Sequence, residues 1–180
     1  MDALLLALLL GLALDQGDRS QRLARDLGPA MLVPVALIIV AGAIVSAVLG
    51  LAVAPVLHGP AGLLFFAIAL AFGASGLLFP VRQVGPTESA TSGTSLLGQL
   101  VMHRLGNGSS FLFVGIVALT GNGWATALGG ALGGLGALLP PLLAGAAYEK
   151  ALPLGIIRPL LGALLLLAGL GCALSALGLL

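Results

Sequence analysis

The chain has 180 residues, of which 59% are hydrophobic and only 7% charged, and a formal net charge of +1; its mean hydropathy is +1.20. These values exclude an ordinary water-soluble domain and a basic nucleic-acid-binding surface, and they point to an all-α, polytopic membrane protein whose main partner is the lipid bilayer. No Asp, Glu, Lys or Arg lies between Asp26 and Arg82, or between Arg104 and Glu149, and each interval can hold two spans of about 20 residues.

Met1 to Leu14 has the leucine-rich core of a secretory signal, but its one early charge is Asp2 and it runs straight into Asp15, without a positive start or a small-residue cleavage site. It predicts a first helix that continues to Leu27, where Gly28-Pro29 stops it. A second helix is expected from Ala30 to Val56, with Gly42, Ser46 and Gly50 making one small, smooth face. His58-Gly59-Pro60 reads as a turn with His58 at the surface; a third helix follows from Ala61 to Phe79, its Phe65, Phe66 and Phe72 meeting lipid or core.

Residues 80–94, with Arg82, Gln83, Glu88 and a Ser/Thr/Gly cluster, read as a polar linker. The fourth helix is expected from Ser95 to Leu119, carrying His103, Arg104 and Asn107-Gly108-Ser109-Ser110, and Thr120 to Gly123 turns the chain. The fifth covers Trp124 to Ala147, with small-residue pairs Gly129/Gly133 and Gly130/Gly134 for close packing in lipid and Pro140-Pro141 expected to kink or break it. Tyr148-Glu149-Lys150 is an interfacial stop before a sixth helix from Leu154 to Leu179, where the single cysteine, Cys172, reads as a small packing residue.

Arg22, Arg25, Arg82, Lys150 and Arg158 fall at alternate connections, while the other connections and the C-terminus have no Lys or Arg. The positive-inside rule then places both termini outside and the 80–94 linker in the cytoplasm. Three spans in 1–79 and three in 95–180 put the halves in opposite orientations, an inverted repeat of the kind many secondary transporters use, with a site near the midplane.

The motif that carries chemistry is Asp15-Gln16-Gly17-Asp18-Arg19-Ser20-Gln21. Two carboxylates three apart share a helix face and can converge on one hard cation, and Gly17 lets another backbone come close. The alternative is a polar helix end touching headgroups and water. Arg104-Leu105-Gly106-Asn107-Gly108-Ser109-Ser110 overlays this motif without a gap, keeping the glycine and the first serine.

At these residues the chain resembles the family of small six-helix divalent-cation exchangers, whose halves each carry Glu-x-Gly-Asp-(Lys/Arg)-(Ser/Thr). The resemblance implies an integral protein of a bacterial inner (plasma) membrane that moves manganese or calcium, as exporter or cation/proton antiporter, by alternating access, with Asp15 and Asp18 as metal ligands. Gln16, Gly17, Arg19, Ser20, Gln21, Gly106, Asn107, Ser109 and Ser110 surround them in the motifs. It implies a transported divalent cation and no resident cofactor; a homo-oligomer is compatible with it.

The second motif departs from the family, with Arg104 for the glutamate, Asn107 for the aspartate and Gly108 for the basic residue. If the halves meet face to face, the Arg104 guanidinium lies near Asp15 and Asp18 as a fixed internal cation; otherwise Arg104 snorkels to the headgroups. His103, with no second histidine nearby in sequence, is expected to serve in packing or at the interface, with a proton-coupling role as the alternative. The competing function is a transport-incompetent relative, a structural or regulatory membrane component with an Asp–Arg salt bridge in place of the ion site. No nucleophile–base pair, phosphate loop or histidine pair suggests an enzyme.

Overall fold

The computed structural model describes residues 2–57, 59–79, 93–145, 147–148 and 153–179. The expected surface position of His58, the 80–92 part of the linker and the Glu149-Lys150 stop lie outside the described residues. Among the described residues the α-helices include, in order, α1 (Ala3–Leu14), α2 (Arg19–Leu27), α3 (Leu32–Val53, preceded by a 3-10 turn, Pro29–Met31), α4 (Pro60–Leu78), α5 (Gly93–Gly106), α6 (Gly108–Thr120), α7 (Gly123–Ala144) and α8 (Leu154–Ala176).

Among the described residues, five segments are long and apolar enough to cross a membrane: Pro29–Val53, Pro60–Leu78, Gly93–Thr120, Gly123–Ala144 and Gly155–Ala176. Gly93–Thr120 is not the continuous fourth helix expected, because α5 and α6 are separated at Asn107. The expected continuous first helix is also two: α1 has 12 residues, about 18 Å of rise against a hydrocarbon core of about 30 Å, and the charged α2 follows a break at residues 15–18. Gly28, with φ of 72°, ends α2 ahead of Pro29 as expected.

Glycine decides how closely the helices approach. A Cβ on Gly129 or Gly133 would collide with the Leu4 and Leu8 carbonyls of α1, and one on Gly130 would meet the Phe113 ring of α6. The two overlapping small-residue pairs therefore serve different neighbours. On α3, Gly50 lies against Val117 of α6, and Ser46 Oγ donates to the Gly42 carbonyl at 2.9 Å.

One buried cluster includes Ala3, Ala7 and Leu14 of α1, Phe66 and Leu70 of α4, Leu112 and Phe113 of α6, and Leu165 of α8, with Cys172 packed against it. A second includes Leu23 of α2, Val35 and Ile39 of α3, Leu100 of α5, and Leu138 and Leu142 of α7. Leucines at 160, 164, 167 and 170 of α8 remain exposed, as suits a helix that meets lipid and packs chiefly on α4.

Of the kink or break expected at Pro140-Pro141, the break does not occur, since α7 runs through both to Ala144. Pro141 has no N–H to give the carbonyl four residues back. Gln21 Nε2 donates to that Ala137 carbonyl at 2.7 Å, replacing the missing helix bond in the way apolar surroundings demand.

Candidate functional site

Both chain breaks fall inside the paired motifs and at matching positions. Asp18 starts α2 with φ −76° and ψ 167°, and Asn107 starts α6 with φ −80° and ψ 153°. Asp and Asn are strong N-cap residues, and a cap bond contributes about 1 kcal/mol, yet neither side chain caps its helix. They turn to each other instead, with Asn107 Nδ2 donating to Asp18 Oδ2 at 3.0 Å.

Gly17 provides the turn, with φ of 66°, a left-handed conformation that an L side chain adopts at a cost of about 1 kcal/mol. Its N–H donates to Gln21 Oε1 at 2.8 Å, while Gln21 Nε2 also donates to Gln16 Oε1 at 3.1 Å. Tyr148 Oη donates to the same Gln16 oxygen at 3.1 Å. From α8, Arg158 donates Nη1 to the Gly17 carbonyl and Nη2 to the Gly76 carbonyl, the latter at 3.0 Å.

The centre of the site is a buried ion pair. Arg104 Nη1 donates to Asp15 Oδ2, with side chains 1% and 0% exposed. Asn107 Nδ2 reaches the other Asp15 oxygen at 3.3 Å. The guanidinium lies in a slot made by missing side chains: a Cβ at Gly42 of α3 would meet Arg104 Cγ, and one at Gly134 of α7 would meet Nη2. Ser110 Oγ donates to the Arg104 carbonyl. Among the described residues, Arg104 Nε and Nη2 and Ser109 Oγ are buried without a hydrogen-bond partner. A snorkelling Arg104 is therefore overturned, and the expected approach of Arg104 to the first motif is made at Asp15.

Asp18 has different surroundings. His103 Nε2 lies 2.8 Å from Asp18 Oδ2, and Ser20 Oγ donates to the same oxygen at 3.2 Å. Asp18, His103 and Asn107 line a cleft of about 380 Å³ with Arg19 and Gly106, and Arg19 Nη2 donates to Gln99 Oε1 at 3.2 Å. His103, expected in packing or at the interface, is a direct partner of the second carboxylate. Sequence offered only its place beside Arg104 as a signal. Arg158 and Tyr148, read before as topology markers, also belong to the site through long-range bonds that no local pattern encodes.

Chemically, Asp15 has a fixed counter-charge and a donor on each oxygen, whereas Asp18 is held by neutral or titratable donors beside a cleft. Among the described residues, no group of three or more His, Cys, Asp or Glu comes together to hold a metal. The fold and this centre define an integral membrane protein of apolar helices, two of its segments broken where charged side chains meet. Compared with known proteins, the chain matches no family model, no curated protein and no solved structure.

Proposed function

We propose that the protein transports small cations across the membrane, with Asp18 meeting the ion from the cleft and Arg104 holding Asp15 as a permanent internal cation. In this reading α1–α2 and α5–α6 are discontinuous crossings, so six crossings form two opposed three-crossing halves with both termini outside. One observation carries it: residues at matching positions of the two motifs meet in pairs, Asp15 with Arg104 and Asp18 with Asn107, at the breaks of both segments. Broken helices whose ends surround charged groups are how transporters place ion sites at depth. Manganese or calcium is the substrate class that the motif resemblance implies.

The second reading is a transport-incompetent structural or regulatory component. It is favoured by the Asp15–Arg104 pair itself, because divalent sites gather oxygens and negative charge and here one carboxylate is already neutralised. Metal flux into proteoliposomes, with manganese tolerance of expressing cells, separates the two. Transport predicts cation flux that Asp18→Asn removes while the protein stays in the membrane. Absence of flux for manganese and calcium, while a relative with two intact acidic motifs is active in the same assay, sinks the transport reading.

A further inference from the structure

α7 is built in two parts that meet at Pro140-Pro141. Neither proline can give an N–H to the helix, so the carbonyls of Gly136 and Ala137 both lose their helical donor, and two missing bonds in succession make a place where a helix bends easily. Ahead of the prolines the helix is clamped: Gly129 and Gly133 sit against the Leu4 and Leu8 carbonyls of α1, and Gly134 against the Arg104 guanidinium. Beyond them one short turn remains, closed by the Gly145 N–H on the Pro141 carbonyl at 2.9 Å, and Gly145, with φ of 58°, ends it. α3, which follows the first break as α7 follows the second, has no proline beyond Pro34, so its interior has no such joint.

A single side chain spans from this joint to the polar centre. Gln21 is 2% exposed and uses both ends of its amide: Nε2 donates to the Ala137 carbonyl at 2.7 Å, and Oε1 accepts from the Gly17 N–H, in the break of the first motif, at 2.8 Å. Because the amide is a rigid plane, a shift of the Gly17 turn that carries one end with it moves the other. Tyr148, just past α7, donates to the same Gln16 oxygen that Gln21 Nε2 reaches. The end of α7 therefore hangs from Gln16 and Gln21, whereas its first part rests on α1 and Arg104.

We propose that Gln21 is a positioning residue that latches a proline joint in α7 to the break of the first motif. With the amide in place α7 runs on unbroken; a displacement of the Gly17 turn releases the Ala137 carbonyl and frees the part of α7 beyond Pro140 to move on the part before it. The latch stands whichever of the two functions is right, and under transport it names the helix that responds when the polar centre changes.

Hydrogen exchange of the full chain in micelles, read by mass spectrometry, tests the latch, because amide protection reports local opening segment by segment. In Gln21→Met, which keeps the length but donates nothing, the amides at 142–145 should exchange roughly tenfold faster, the loss of one buried hydrogen bond, while those at 129–136 keep their protection. Gln21→Met/Pro141→Ala restores an N–H four residues after Ala137, so 142–145 should return to the wild-type rate; the Gly17 amide, bonded to the other end of the side chain, should stay fast in both variants. Gly17→Ala, which strains the left-handed turn while leaving Gln21 in place, should also speed exchange at 142–145. A general loosening of the fold would raise exchange on both sides of the prolines and would not be rescued at Pro141. If Gln21→Met alone does not fold, Pro141→Ala and Gln21→Met/Pro141→Ala are compared, and they should agree at 142–145 and differ at Gly17. Unchanged protection of 142–145 in Gln21→Met or Gly17→Ala, equal loss at 129–136, or no rescue by Pro141→Ala overturns the proposal.

Discussion

Replacing Arg104 by methionine keeps much of the length and apolar stem that sits between Gly42 and Gly134 but removes the charge. Asp15 is then left fully buried, with only the Asn107 amide among the contacts described. Removing one partner of a buried ion pair costs roughly 3–5 kcal/mol, because the remaining charge stays in low dielectric without compensation. That is a large share of the ~5–15 kcal/mol by which native proteins are stable. Asp15→Asn alone should be comparably damaging, since it strands the guanidinium with Nε and Nη2 already unpartnered. The double variant Asp15→Asn/Arg104→Met has neither charge and should return to within ~1 kcal/mol of wild type, as neutral replacements of buried pairs commonly do. Denaturation of the purified protein in mixed micelles gives the three free energies, and the double-mutant cycle isolates the pair. If Arg104→Met is as stable as wild type, or if the two single losses simply add in the double variant, the pair is not the structural centre described above.

The glycine contacts make a graded prediction by the same denaturation assay: Gly133→Ala, whose methyl would meet the Leu8 carbonyl, should be destabilised by ~1–3 kcal/mol, whereas Gly171→Ala, with open space around it, should be neutral or slightly stabilised. Topology reporters fused after Gly59 or at Leu180 should read external, and those after Glu88 or Glu149 cytoplasmic; a cytoplasmic Leu180 would remove the basis for two opposed halves.

Much of the architecture is legible in composition, because membrane spans are declared by length and apolarity. The helices around Gly42, Phe66, Gly130 and Leu165 lie where the apolar runs put them. The meeting of Arg104 with the first motif was legible too, since a buried guanidinium beside unmatched acids must find a carboxylate. The helix breaks were not. Asp15 to Asp18 and Asn107 sit in sequences with no proline, and what interrupts them is the turn at Gly17 together with bonds from Gln21, Asn107 and Arg158 to groups distant in the chain. At Pro140-Pro141 the sequence marks a kink or a break, and the helix runs on unbroken where the amide of Gln21 supplies the bond that the proline removed. The contact of His103 with Asp18 was not legible because its partner is 85 residues away in sequence.

The close seating of α1 on α7 also sets an order of assembly. Leu4 and Leu8 turn their carbonyls towards Gly129 and Gly133, residues synthesised more than a hundred positions later. α1 alone is too short to bridge the hydrocarbon, and α2 brings charge rather than further apolar length. The amino-terminal segment therefore completes this contact only after Gly129 and Gly133 have been made, so the seat of the first helix depends on residues of the second half of the chain.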